Sequence, residues 1–350
     1  MFAWLRAAFR RTPPAGKPRH VPMRAADRPP PAMPPERMTL TDMLRQLVID
    51  AGGPTEELDP ELWRSLAARV EAAADSIPPP PSFPSIATEV LAIAGKPDVD
   101  VNRLVGVVQR DAAIATALLR FSNSVAFSPA RPITTLRDAI GLIGVTHVVE
   151  VVLGSTGRSF YNVASGAELA LFPSLWETMF DDAMANAFSA GRLALDVPGA
   201  RGERALLAGL LADLGRPLAL QLLAGMILGK SGDRIARPSD AIVLATLDEV
   251  APALGRRVVA AMNLPGELRS ACIPDATHPS PDAQIARLVA AIGAIQRRSP
   301  RLWASAGDVR EAAEQLGLQP LFVRTVFAQR AQDLFAAGQM MPALTGAAAN

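Results

Sequence analysis

Cysteine is almost absent: Cys272 stands alone among 350 residues, so no intrachain disulfide can form and a disulfide-stapled fold is excluded. Aromatic residues make up only 5% of the chain, with a single tyrosine. Strands draw on aromatic and β-branched side chains, so this scarcity, beside an abundance of alanine and leucine, points to an all-α fold. Histidine is equally sparse, His20, His147 and His278 being the whole supply, and no His/Cys group has zinc spacing. A glycine-rich phosphate loop is missing, and Cys272 has no histidine placed to activate it. No apolar segment followed by a cleavage site is visible and no run reads as long enough to span a bilayer, so the cytoplasm is the expected compartment.

What is there begins with 49% hydrophobic residues, enough to fill a sizeable core in one large helical domain or two smaller ones. The net charge of +1 hides an asymmetry. Residues 1–38 hold eight arginines and lysines against Asp27 and Glu36, a charge of +6, which leaves the remainder at −5. A body with that balance lacks the basic excess of a nucleic-acid binder, so no specific nucleic acid is expected and polyanion attraction resides in the tail. Between Pro13 and Pro35 prolines crowd out periodic apolar residues, and 1–38 is expected to be a disordered basic tail. Within it, residues 1–11 place Phe2, Leu5 and Phe9 on one helical face with Trp4 beside them. That pattern fits either an interfacial helix making weak contact with an anionic membrane or an accident over a short stretch.

Downstream, a helix is expected near Thr39 and another after Asp59-Pro60, where proline suits the first helical position, giving an N-terminal helical segment over 39–76. Pro78–Pro81 is a hard break. Asp100 caps a helix carrying Leu104, Val105 and Val108, and Asp111 caps one carrying Ile114, Ala115, Leu118, Leu119 and Phe121. Thr135 with Asp138 has capping-box spacing, and Ser174 with Glu177 repeats it at the head of a helix running to Leu195. Residues 205–214 are apolar on every side, the mark of a central buried helix. Gly215 is expected to end that helix and Pro217 to open the next. Pro281 follows Ser280 into a further helix, and 308–316 and 320–337 are helical, so C-terminal helices occupy 281–341.

One order of residues is specific: Asp111, Leu118-Leu119, Ser122-Asn123-Ser124, Phe127, Ile133, Leu136, Ala139-Ile140 and Leu142-Ile143-Gly144. Preceded by IPPPPSFP (77–84) and continued by Leu175-Trp176, ALLAGLLADLGRPLAL (205–220) with its Gly215, and ALGRRVVAAMNLPGEL (253–268), it resembles the HDOD domain over roughly 77–280. The resemblance implies a multi-helix domain with short helical extensions on both sides, and descent from the HD-domain metal phosphohydrolases. In those relatives a His, a His-Asp pair and a further Asp hold divalent metals that activate water against a phosphoester.

Here the His-Asp pair reads Ala212-Asp213, and 175–195 contains no histidine. A methyl group donates no lone pair, so no metal, cofactor or catalytic residue is expected, and Ala212 and Asp213 mark a vestigial position. Asp213 opposes the dipole of its helix, and Arg216 is the expected compensating partner, with residual metal binding the alternative. An all-carboxylate site from Glu177, Asp181, Asp182 and Asp213 is weakened by helical spacing, since Asp181 and Asp182 point about 100° apart. Ser122-Asn123-Ser124 is read as a helix terminus in which Asn123 bonds loop backbone. His147 reads as a packing residue. The expectation is therefore a non-enzymatic signalling protein that works through protein partners. A divergent metal-dependent phosphohydrolase and a peripheral membrane-associated regulator held by residues 1–11 are the alternatives.

Overall fold

The computed structural model describes residues 38–50, 58–76, 82–164, 166–230, 234–273 and 279–345. The expected tail with Phe2, Trp4, Leu5 and Phe9, the proline break at 78–81, His20 and His278 lie outside the described residues. The chain divides into two units, 1–38 and 39–350, and all that follows concerns the second.

The described residues form helices and no strand. In chain order they are α1 (Leu40–Asp50), α2 (Pro60–Ala73), α3 (Ser85–Ala94), α4 (Val101–Val108), α5 (Ala112–Ser122), α6 (Leu136–Tyr161), α7 (Ala167–Leu171), α8 (Pro173–Leu193), α9 (Gly202–Ala212), α10 (Gly215–Ile227), α11 (Asp240–Ala261), α12 (Gly266–Cys272), α13 (Pro281–Gln296), α14 (Leu302–Gln315) and α15 (Pro320–Thr345). Local chemistry sets most of their starts. The Asp59 carboxylate accepts from the Glu61 amide, Asp100 from Arg103, Asp111 from Ala113 and Ile114, Thr135 from Asp138, and Ser280 from Ala283. Each satisfies an amide that has no partner within its own helix.

Two expectations about starts and stops fail. Ser174 is not a cap, because Pro173 already occupies the first helical position of α8 after Phe172, and the Ser174 carbonyl accepts from the Thr178 hydroxyl. Gly215 does not end a helix either; it is the first residue of α10. Its lack of a side chain answers a packing demand, since a Cβ there would collide with the Ala251 carbonyl of α11.

Helix α9 is the centre of the core. Ala205 to Leu211 are all buried, and α9 lies against α8 on one side and α13, α12 and α6 on others. Gly209 marks the closest approach: a Cβ there would sit 2.5 Å from the Asn186 carbonyl oxygen of α8. Two stretches, Leu136–Tyr161 and Gly202–Ile227, do pass a length-and-hydropathy test for crossing a membrane, against the sequence-based expectation. The first is bent at Gly144, whose φ of 78° breaks the helix. The second is two helices joined at Asp213-Leu214, and 78% of its most apolar window is buried among its neighbours.

Candidate functional site

Asp213 is where the sequence pointed, and the structure makes it the C-cap of α9. Its partner is not Arg216. The Asp213 Oδ2 accepts from Arg297 Nη1 at 3.2 Å and from Asn186 Nδ2 at 3.1 Å. Arg216 turns instead to Asp248 on α11, whose other oxygen accepts from the Ser299 hydroxyl. The reason is reach. Arg216 follows Asp213 into a new helix and is buried toward α11, whereas Arg297 arrives from the end of α13, which packs along α9.

Arg297 Nη1 also lies 3.5 Å from Asp182 Oδ2 on α8, so one guanidinium nitrogen stands between the two carboxylates. The opposite side of Asp182 is held by Arg330 of α15, whose Nη2 donates to Oδ1 at 3.0 Å. Arg330 is fully buried, and every arm of its fork is used. Its Nε donates to Asn186 Oδ1 at 2.8 Å and its Nη1 to Gln296 Oε1 at 2.6 Å, while Gln296 in turn donates to the Phe327 carbonyl. Gly293 on α13 makes the room, since a Cβ there would meet this guanidinium. Three arginines thus face three aspartates in the interior, a neutral set in which each ion has opposite charge beside it, as burial of charge requires. Burial works to raise the Asp182 carboxyl, but Arg297, Arg330 and Arg216 outweigh it and hold the group below the ordinary carboxylate range. Burial likewise opposes charge on Arg297, and Asp182, Asp213 and Asp248 reverse that and raise it above the ordinary value.

This arrangement does not suit a divalent metal. The groups that face the carboxylates are guanidinium and amide N–H donors, which supply no lone pair. Among the described residues no three of His, Cys, Asp and Glu are placed to hold an ion. Of the four imagined acidic ligands, Asp182 and Asp213 converge but on arginine, Glu177 is exposed, and Asp181 faces elsewhere, near Gly338 on α15.

The remaining sequence-selected residues take structural places. Asn123 caps α5 and bridges to the chain ten residues on: its Nδ2 donates to the Ile133 carbonyl and its Oδ1 accepts from the Ile133 amide, both at 2.8 Å. Ser122 is buried and bonds the Leu119 carbonyl, and Ser124 contributes its carbonyl to the turn that holds Phe127 and Ser128. Phe127 packs edge-on against Phe121 and His147. His147 is anchored by the Ile143 carbonyl at 2.8 Å. Trp176 donates to the Glu168 carbonyl. Cys272 is half-buried, and burial pushes its thiol well above its ordinary range, which disfavours the reactive thiolate.

Sequence reasoning missed Arg297, Arg330, Asn186 and Asp248. One signal was available for Arg330. Val323, Val326, Arg330, Asp333, Ala337 and Met340 follow the spacing of one helical face, and all are buried. A charged pair inside an apolar stripe announces a buried ion pair, and Asp333 duly meets Arg192 and the Ser189 hydroxyl of α8.

The HDOD domain model covers residues 81–273, more than half of the chain, and the chain belongs to the HDOD family. Among solved structures, an HDOD domain protein of Geobacter sulfurreducens is 17% identical, with 81% of this chain and 99% of that one superposed at a TM-score of 0.53. A candidate metal-dependent phosphohydrolase of Shewanella amazonensis is 17% identical over 79% of this chain and 99% of its own, at a TM-score of 0.48. A candidate signal transduction protein of Marinobacter aquaeolei is 19% identical over 86% of this chain and 66% of its own, at 0.43. At these identities the likeness is one of fold. No curated protein matches the chain. The family model ends before α13 and α15, so the two arginines that neutralise Asp182 and Asp213 come from helices beyond the matched region.

Proposed function

We propose that this chain is a non-enzymatic signalling module of the HDOD family that acts by binding protein partners, with its ancestral metal site converted into a structural ion lattice. One observation carries the reading: Arg297 Nη1 stands 3.2 Å from Asp213 and 3.5 Å from Asp182, in the place where a cation shared by those carboxylates would sit. A guanidinium there supplies the charge that the acids need and no site at which water could be activated. The absence of histidine from α8 and the methyl group of Ala212 support the same conclusion. Partner binding is the work that remains for a fold that keeps its packing while its ligands are lost, and it suits a family in which signal transduction proteins occur.

The test is elemental analysis of the purified full chain, with hydrolysis assays on cyclic dinucleotides, nucleotides and a generic phosphodiester in added Mn²⁺ and Mg²⁺. No stoichiometric metal and no turnover are expected, and Ala212→His alone should not change either. Metal bound in a one-to-one ratio and lost in Asp213→Ala would establish the divergent phosphohydrolase instead. Anionic vesicles mixed with the full chain and with residues 39–350 separate a soluble scaffold from a membrane regulator.

A further inference from the structure

Beside the ion lattice, α9, α11, α13 and α14 line an open pocket of about 460 Å³, within the range of small-ligand sites, roughly 300–1,000 Å³. Much of its lining is alanine, with Ala208 and Ala212 on α9, Ala251 on α11, Ala286, Ala290 and Ala294 on α13, and Ala304 on α14. Methyl groups on four neighbouring helices cannot meet across the gap between them. Leu211, Pro252 and Val259 complete an aliphatic wall, and no described lining residue is aromatic. The charged lining is unbalanced, with five arginines against three aspartates.

Four of those arginines are committed. Arg216 holds Asp248, Arg297 holds Asp213 and Asp182, Arg301 reaches Glu249 at 2.7 Å, and Arg287 is forked onto Glu311 and Asp308. Arg256 lines the same cavity from an exposed position, and its side chain has no ion pair or hydrogen bond among the described residues. The Nε–H of Arg297 is buried without an acceptor among the described residues, a deficit that ordinary folds avoid. An open pocket with an aliphatic wall and an uncommitted guanidinium in its lining can take an apolar group that carries a negative charge.

We infer that this cavity binds a small aliphatic anion, a short alkyl chain bearing one carboxylate or phosphate, with Arg256 as the headgroup contact. Guanidinium forks recognise both headgroups in the same bidentate geometry. The alkyl part replaces water against the alanine wall. A nucleotide fits less well, because a base gains most of its affinity by stacking on an aromatic face. The inference does not depend on the proposed protein-binding role: it concerns a ligand site, whatever the chain's partners are.

Calorimetric titration of the full chain tests it, with octanoate and octyl phosphate as ligands and octanol, inorganic phosphate and AMP as comparisons. Saturable binding of octanoate or octyl phosphate is expected, accompanied by a rise in melting temperature. Arg256→Ala should weaken that binding at least tenfold, and Ala290→Phe, which fills the chamber from a half-buried position, should abolish it. Arg310→Ala, an exposed arginine outside the cavity, should leave it unchanged. If only one headgroup binds, the inference holds with that headgroup. Octanol binding as tightly as octanoate would remove the role of arginine, inorganic phosphate binding as tightly as octyl phosphate would remove the alkyl part, and preferential binding of AMP would overturn the ligand class. Unaltered affinity in both Arg256→Ala and Ala290→Phe would place binding elsewhere and sink the proposal.

Discussion

The stretch from α4 to α6 and the ion lattice around Asp182 are built on opposite plans. In the first, structure is made by neighbours: Asp100, Asp111 and Thr135 each cap a helix through an amide two or three residues on, and Asn123 reaches only ten residues to Ile133. In the second, Asp213 and Arg297 are 84 residues apart and Asp182 and Arg330 are 148 apart. Errors in the first are local and cheap. Errors in the second expose an unpaired charge to a dry interior, where it costs far more. The lesson is that the stretch from α4 to α6 is organised by neighbours in sequence, whereas the ion lattice depends on charges brought together from distant parts of the chain.

The sharpest way to break the comparison is to prevent the lattice from assembling. Gly209→Leu forces side-chain atoms into the Asn186 backbone, which a Cβ alone would already approach to 2.5 Å, and Asn186 bonds both Asp213 and Arg330. Loss of cooperative thermal unfolding by circular dichroism is expected, and Leu210→Asp should do the same by burying an unpaired charge. Wild-type melting in either variant would show that α9 is not central.

Arg330→Met removes one ion and leaves Asp182 and Asp213 to share Arg297, with one buried negative charge in excess. A loss of about 3–5 kcal/mol in urea unfolding is expected, and pairing it with Asp182→Leu should restore a large part. Failure of the second change to compensate would mean that Arg330 acts by filling space and not through charge.

Protonation probes the same long-range packing at Glu150 on α6, which faces His147 at 4.0 Å. Burial pushes its carboxyl up from 4.5 to about 7, with Arg192 opposing and Asp333 adding to the rise. Between those two values the folded state keeps a proton that the unfolded chain has released, so stability falls as pH rises from 4.5 to 7 and the loss is complete above that. Glu150→Gln should therefore stabilise the protein at pH 8, by about 3 kcal/mol at most, and do little at pH 4. Equal effects at both pH values would show that the group is not protonated in the fold.

The smallest effect belongs to the local region. Thr135→Ala deletes one cap at the head of α6, and a loss of about 1 kcal/mol is expected in urea unfolding. A loss as large as that of Arg330→Met would erase the distinction between the two regions.

How much could be read in advance follows the same divide. The caps at Asp100, Asp111 and Thr135 were legible because a side chain and its amide lie within one turn, and the starts at Pro60 and Pro281 because proline suits the first helical position. The role of Asn123 was legible for a similar reason, as was the buried α9, whose apolar residues leave no wet face. Ser174 and Gly215 misled because each has the right residue type for a cap, while Pro173 and the contact with Ala251 decided otherwise. The match of Asp213 to Arg216 failed because nearness in sequence is a poor guide across a helix break.

By itself, then, the amino-acid order settled the helical class, several helix starts, and the absence of histidine from 175–195 and from the position before Asp213, since each depends on residue identity or on spacing within a few residues. Tertiary structure alone decided what surrounds Asp182 and Asp213. Only the packing of α8, α9, α13 and α15 brings Arg297 between Asp182 and Asp213 and buries Arg330 behind them. Only the meeting of four alanine-faced helices leaves a chamber beside that lattice. Coulomb attraction and excluded volume act through space, and distance along the chain does not report them.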